Sequence, residues 1–196
     1  MSPRTSDSRE RMLRGASDLL GEYGAGATSI DRVLARTGAP RGSVYHHFPG
    51  GRAQLVEEAV TRSGDVMAKR IDAAVAAEDQ DPVAALDSFF ALWRQRLTEN
   101  GYRVGCPVAA VAAATNDEAP QLARSAAAVF ARWQQALAAH FHRHGLAQAR
   151  STRLAAFVVA ALEGAVIMCR AEQTTAPLDA TAAELRELLT RAFQDR

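Results

Sequence analysis

Residues Thr28 to Phe48 read TSIDRVLARTGAPRGSVYHHF. The run predicts two short helices joined by a tight turn, the second beginning at Pro40 or Arg41. Ile30, Val33 and Leu34 recur at i, i+3 and i+4, so the first of these helices buries one face. Gly38 suits the left-handed conformation that ends a helix. Pro40 presets φ for the first turn of the next one. In that next helix Val44 and Phe48 lie four apart and point inward. Arg41, Gly42, Ser43, Tyr45 and His46 are left on the outer face. A short helix with a basic, small, hydroxyl, aromatic and imidazole surface suits the major groove of DNA.

Working outward, a helix is expected from Ser6 or Asp7 to Tyr23, with Met12, Ala16, Leu19, Leu20 and Tyr23 as its apolar stripe. Ser6 is its N-cap and Gly24 its stop. Ser29 caps the following helix, and its hydroxyl or that of Thr28 is free to meet a phosphate. Pro49-Gly50-Gly51 breaks the chain. A long helix follows from Arg52 to Ala77 on an apolar face of Leu55, Val56, Ala59, Val60, Met67, Ile71 and Val75. At ~1.5 Å per residue it spans close to ~40 Å, enough to link two parts of the protein mechanically. Further helices are expected from Pro82 to Asn100-Gly101 and over Cys106 to Ala114. Three more follow, from Asp117-Glu118 and Pro120 to His144-Gly145, from Ser151 to Ala171, and from Asp179 to Phe193. The fold class is all-α, with about nine helices.

Three pieces of sequence resemble the TetR/AcrR family of bacterial transcription regulators: Thr28-Ser29, the run TGAPRGSVYHHF, and the following FPGGRAQL. This likeness covers roughly Arg9 to Val60. GCPVAAVAAA, Gly105 to Ala114, resembles a signature of the LmrA/YxaF-like branch. Pro40 stands where the family often has a serine cap, and Arg52 where it often has lysine. The resemblance implies a three-helix helix-turn-helix domain over residues 1–52. Residues 53–196 then form a C-terminal helical domain that binds an effector and dimerises. It implies a homodimer that binds a palindromic double-stranded DNA operator and is released by a small molecule. Control of a drug-efflux or oxidoreductase gene is the habit of that branch.

Composition is compatible with this. The chain has 196 residues, 48% of them apolar, and a net charge of +1. Residues 1–52 hold eight arginines against five acids (8 − 5 = +3), and residues 53–196 fifteen basic groups against seventeen acids (15 − 17 = −2). A positive head on a mildly negative body suits a DNA reader. The two cysteines, Cys106 and Cys169, are far apart, as expected of a reducing cytoplasm. No apolar run is read as reaching the roughly 18 residues of a membrane helix, and the polar start MSPRTSDSRE does not resemble a signal peptide. A cytoplasmic protein with no membrane partner is expected.

The DNA-facing set is Thr28, Ser29, Arg41, Gly42, Ser43, Tyr45, His46 and Arg52. Arg41 matches guanine O6 and N7, a contact worth ~1–3 kcal/mol of discrimination. Tyr45 and His46 suit phosphates or a thymine methyl, Gly42 lets the backbone approach closely, and Arg52 is placed as a phosphate clamp. The blander reading is an ordinary polar helix face with a solvated arginine behind it. The effector-facing set implied by the resemblance is Phe89, Trp93, Cys106, Phe130, Trp133 and Phe157. Aromatic residues at helical spacing are more often plain core, but the indole N–H of Trp93 or Trp133 wants a polar partner. Glu163 and Arg170 interrupt an apolar helix, where each can orient an effector or pair within an interface.

Cys106 precedes a helix N-terminus, which permits a redox-responsive reading; simple packing is the commoner one. His140 and His144 share a helix face, but nothing in the sequence completes a zinc set, so a solvated helix end is expected. There is no phosphate loop, nucleophile elbow or HExxH motif. No cofactor, metal or enzymatic activity is therefore expected. The rival reading is a helical small-molecule-binding protein or enzyme that keeps the head without operator binding.

Overall fold

The computed structural model describes residues 3–77, 81–114 and 119–195. Among the described residues there are nine helices and no strand. They are α1 (Pro3–Ala27), α2 (Ile30–Thr37), α3 (Arg41–His47), α4 (Gly51–Ala77), α5 (Pro82–Glu99), α6 (Pro107–Ala113), α7 (Pro120–Arg143), α8 (Gln148–Glu172) and α9 (Ala176–Gln194). The expected opening of α7 at Asp117-Glu118 lies outside the described residues.

The chain forms two compact units, one of Met1–Asp65 with Cys106–Val129 and one of Val66–Gly105 with Phe130–Arg196. Both α4 and α7 therefore contribute residues to each.

In the first unit, α1 packs on α2 and on α6. Its core joins Met12, Leu13, Ala16, Leu19 and Leu20 to Val33, Val44, Phe48, Leu55, Val56, Ala59 and Val60, all buried. The Ser17 hydroxyl donates to Ala59 O at 3.2 Å and so ties α1 to α4. Ser125 at the start of α7 donates to Glu57 Oε1 at 2.9 Å. Gly15 permits the α1–α2 crossing, because a Cβ there would stand 2.4 Å from Thr37 Cγ2.

Two expectations for α1, the cap at Ser6 and the burial of Tyr23, need correction. The helix begins at Pro3, so Ser6 lies inside it rather than at its cap. Gly24 breaks the first run of turns as expected, at the non-helical φ 81 and ψ 176, and helical turns resume beyond it to Ala27. Tyr23 leaves the apolar stripe; it is 57% exposed, with the Arg32 guanidinium 5.4 Å from its ring centre.

The second unit packs α8 against α9, with α5 against both. Its core includes Leu86, Phe90, Trp93, Leu97, Trp133, Phe141, Leu154, Val158, Leu162, Val166, Leu178, Leu185 and Leu189. Asp81 caps α5 by accepting from the amides of Val83 and Ala84. Two ion pairs join α5 to α9, Arg94–Asp179 at 2.5 Å and Arg186–Asp87 at 2.6 Å.

α8 starts at Gln148, three residues before the expected Ser151, and its length and composition would suffice to cross a membrane. The expectation of no unbroken apolar run of that length still holds, because Glu163 interrupts the stretch; an alanine-rich helix with few charges passes on average hydropathy. Here one of its faces is the core of the second unit. The other carries Phe157, Ala160, Gly164, Ile167 and Met168 into solvent.

Candidate nucleic-acid interface

Three local devices hold the α2–α3 turn. Ser29 Oγ accepts from Arg32 N at 3.2 Å and so caps the N-terminus of α2. Gly38 adopts φ 64 and ψ 16, and its amide donates to Leu34 O at 2.9 Å. The Thr37 hydroxyl donates to Val33 O at 2.8 Å and accepts from Ala39 N at 3.4 Å. Pro40 then sits at the N-cap of α3 with φ −65, one place before the first helical residue, Arg41. Val44 and Phe48 are fully buried. α3 thus shows Arg41, Gly42, Tyr45 and His46 to solvent, with Ser43 and His47 half-buried. Tyr45 is 58% exposed.

Most arginines of the head are already engaged. Arg36 holds Glu22 in a two-pronged pair, at 3.0 and 2.8 Å, and this partner raises its pKa further. Arg9 pairs with Glu58 and lies 5.4 Å from the Phe48 ring centre. Arg32 donates to Ala27 O at 3.1 Å. Arg62 on α4 pairs with Glu10 at 2.6 Å, and that pairing holds the Glu10 carboxyl below its usual range. Arg41 differs, because its partner Asp31, 3.2 Å away, is as open to water as it is.

Thr28 is buried, and Arg52, though exposed, bonds back to the backbone of the head. Arg52 Nε donates to Thr28 O at 2.8 Å and its Nη2 donates to Ala25 O. The guanidinium therefore fastens the α1–α2 link through two of its donors while the residue stays exposed. Thr28 is buried, and its hydroxyl donates to Gly24 O at 2.9 Å, so it is not open to a phosphate.

The sequence alone does not single out Asp31 or His47. Asp31 reads as an ordinary acid in the first turn of a helix, and nothing in the one-dimensional spacing brings it to Arg41. His47 packs edge-on to both His46 and Phe48. Burial, then His46, then Arg9 lower its pKa.

The effector-facing candidates divide between the units. In the second, Trp93 is 1% exposed and its Nε1–H finds no hydrogen-bond partner among the described residues. The Arg96 guanidinium lies 5.5 Å from its ring centre. Phe89 and Trp133 are buried, and Phe130 meets Trp133 edge-on at 5.5 Å. Phe157 is 53% exposed. It lines a groove of about 520 Å³ with Ala161, Thr181, Leu188 and Arg191, and this groove includes none of the other aromatic candidates.

Cys106, in the first unit, is buried at the N-cap of α6, where its sulfur accepts from Ala109 N at 3.5 Å. Burial pushes the Cys169 thiol up, which makes it a poor nucleophile. Glu163 is buried on α8. Arg170 lies against Gly105, where a Cβ would come within 2.8 Å of its Nη1; the sequence does not reveal that this glycine makes room for a guanidinium. His140 is 1% exposed, which corrects the expected solvated helix end. Among the described residues no three metal-ligating side chains cluster.

Comparison with known proteins agrees with this geometry. Residues 12–59 match the bacterial regulatory proteins of the tetR family, and residues 82–184 match the C-terminal domain of LmrA/YxaF-like transcriptional regulators. An uncharacterized HTH-type transcriptional regulator of Mycobacterium tuberculosis is 41% identical over 194 residues, or 96% of this chain and 97% of the relative. YxaF, an uncharacterized HTH-type transcriptional regulator of Bacillus subtilis, is 30% identical over 88% of this chain and 90% of its own. A TetR transcriptional regulator from Chloroflexus aurantiacus superposes with a TM-score of 0.80 at 26% identity, over 96% of this chain and 97% of that one. By sequence and fold together, the chain belongs to the TetR family of transcriptional regulators, in its LmrA/YxaF-like branch.

Proposed function

We propose that this regulator is a cytoplasmic homodimeric repressor, and not an enzyme, that reads a palindromic operator with α3 and lets go when a small apolar or amphipathic molecule binds. The observation that carries the reading is the outer face of α3. Arg41, Tyr45 and His46 stand exposed there on a helix whose other side is locked into the core by Val44 and Phe48. Such a helix can enter a major groove as a rigid body, with Arg41 on a guanine edge and Ser43, Tyr45 and His46 on phosphates or a thymine methyl. Ser29 and the backbone at Gly42 supply further approach to the phosphates. Residues 1–52 would act as the reading domain and residues 53–196 as the effector-binding and dimerising one.

Two copies place two such helices about one turn of DNA (~34 Å) apart or more. Phe89, Trp93, Phe130 and Trp133 are the proposed effector contacts, with the Trp93 N–H as a polar anchor; Cys106 and Phe157 are further proposed contacts. Release requires only that the effector favour a conformer with weaker operator affinity. A tenfold loss corresponds to about 1.4 kcal/mol of differential binding. Because α4 and α7 each belong to both units, they are the natural carriers of that change.

The test is selection of random duplex DNA by the purified protein at stated salt. An enriched palindrome supports the reading, and its half-site spacing reports the distance between heads. Failure to enrich any sequence at low and moderate salt would leave a ligand-binding protein or enzyme that only keeps the head.

A further inference from the structure

Asp31 is the only acid between Glu22 and Glu57, so it is the one carboxylate in the stretch that holds the candidate reading surface. Its side chain is 70% exposed in the first turn of α2. A free carboxylate there weakens DNA binding, because it meets a dense line of phosphate charge. A helix start gains from an acid, but Ser29 already caps this one. What singles out Asp31 is its geometry: Oδ1 lies 3.2 Å from Arg41 Nη1, across the turn and on the neighbouring helix.

We infer that Asp31 is a positioning residue for Arg41, holding the guanidinium at the angle from which its free edge reads a guanine. This rests on the proposed reading of DNA by α3. A guanidinium has five N–H donors in a rigid fork. The ion pair with Asp31 is made through Nη1 alone, which leaves the Nε–Nη2 edge complete for guanine O6 and N7. The carboxylate also fixes a long, rotamer-rich side chain that would otherwise be ordered only on binding. It disfavours other uses of Arg41, since a guanidinium turned towards a phosphate abandons Asp31 beside the backbone. Asp31 thereby trades general affinity for sequence preference.

The contrast with Arg36 supports this division of labour. Glu22 grips Arg36 with both oxygens, and the Glu22 side chain is only 16% exposed. That pair is structural. The Asp31–Arg41 pair stands 70% and 72% in water, where such a pair contributes little to stability. Its effect appears when DNA displaces the water and the local dielectric falls.

The experiment uses the full chain, the palindrome selected by the wild type, and that palindrome altered at each base pair in turn. Asp31→Asn should leave the unfolding midpoint unchanged. Affinity for unrelated duplex should hold or rise, and discrimination at one symmetric base pair should fall by about tenfold. Arg41→Ala should lose preference at that same pair, and adding Asp31→Asn to Arg41→Ala should change discrimination no further. If Asp31→Asn strengthens binding to all duplexes alike and keeps the preference, Asp31 is only a repulsive surface charge. Loss of preference at a different base pair, or one that persists without Arg41, equally overturns the inference. If the wild type selects no sequence, the reading of DNA by α3 falls first and the inference with it.

Discussion

Arg41 and Arg52 look alike in the sequence, since each begins a helix after a proline or glycine break. The structure separates them by where their donors go. Arg52 spans the α1–α2 link through Thr28 O and Ala25 O, whereas Arg41 meets only an exposed carboxylate. Arg52→Ala should therefore destabilise the protein by about 1–2 kcal/mol, the usual cost of removing a charged donor from partly buried carbonyls. Arg52→Lys should recover little, because an ammonium cannot span two carbonyls as a planar fork does. Urea denaturation of both variants decides the matter. Wild-type stability in Arg52→Lys, with weakened DNA binding in Arg52→Ala alone, would return the residue to the phosphates.

Gly15 offers a sharper test. In an open helix, glycine to alanine stabilises by roughly 1 kcal/mol, but here the new methyl carbon meets Thr37 Cγ2 at 2.4 Å. Thr37 cannot turn away without giving up the bond from its hydroxyl to Val33 O. Gly15→Ala should cost about 1–3 kcal/mol. Adding Thr37→Ser, which removes the clashing carbon and keeps the hydroxyl, should restore most of the loss. A melting temperature that rises in the single variant would sink this account.

At the scale of elements, legibility followed punctuation. α2, α3, α5 and α6 were placed to within a residue because Ser29, Gly38, Pro40, Asp81, Pro82 and Pro107 each fix a local conformation that only a boundary needs. α1, α8 and α9 begin three residues or more before the polar residues Ser6, Ser151 and Asp179 that resemble helix starts. Ser151 has a cap's chemistry, but its hydroxyl bonds back to Ala147 O at 3.2 Å from inside the helix. On α3 the outward face was legible, since a period of 3.6 fixes which side Val44 and Phe48 leave free. The partners were not, because Glu22, Asp31 and Glu58 reach their arginines through tertiary packing.

His47 shows the same limit, and it makes the head sensitive to acid. Its pKa lies below the unfolded value of 6.5, chiefly through burial. In the window from pH 6.5 down to that lower value, the unfolded chain binds more protons than the folded one. Stability is therefore complete above pH 6.5 and falls as the pH drops through the window, with a slope of at most ~1.4 kcal/mol per pH unit. His47→Gln should flatten this slope in denaturation midpoints taken from pH 7 to 5. An unchanged slope would assign the acid sensitivity to another group.

At the scale of the whole molecule, the exposed stripe of α8 calls for a partner. Phe157, Ala160, Gly164, Ile167 and Met168 follow helical spacing on the solvent-exposed side of α8, with Phe157 bordering the groove along α9. Phe157, Ile167 and Met168 are 53, 59 and 52% exposed. Scattered apolar residues on a surface need no explanation, but a continuous stripe beside a groove of about 520 Å³ does. A second copy of the chain fits such a surface, because a two-fold axis sets like stripe against like stripe. The small residues Ala160 and Gly164 let two helices approach closely, while Glu184, Glu187 and Arg191 edge the groove with charge that can remain in water. Phe157→Asp in each copy would bring two carboxylates into one dry seam. Sedimentation should find the wild type dimeric and Phe157→Asp monomeric at micromolar concentration, with its helical circular dichroism intact. The monomer keeps an unaltered α3, so its affinity for one half-site should match the wild type. Its affinity for the full palindrome should fall by about 10²–10⁴, the gain that linking two weak sites ordinarily provides. Equal loss on half-site and palindrome would mean that the substitution had damaged the reading head. No loss on either would mean that the copies meet through another face.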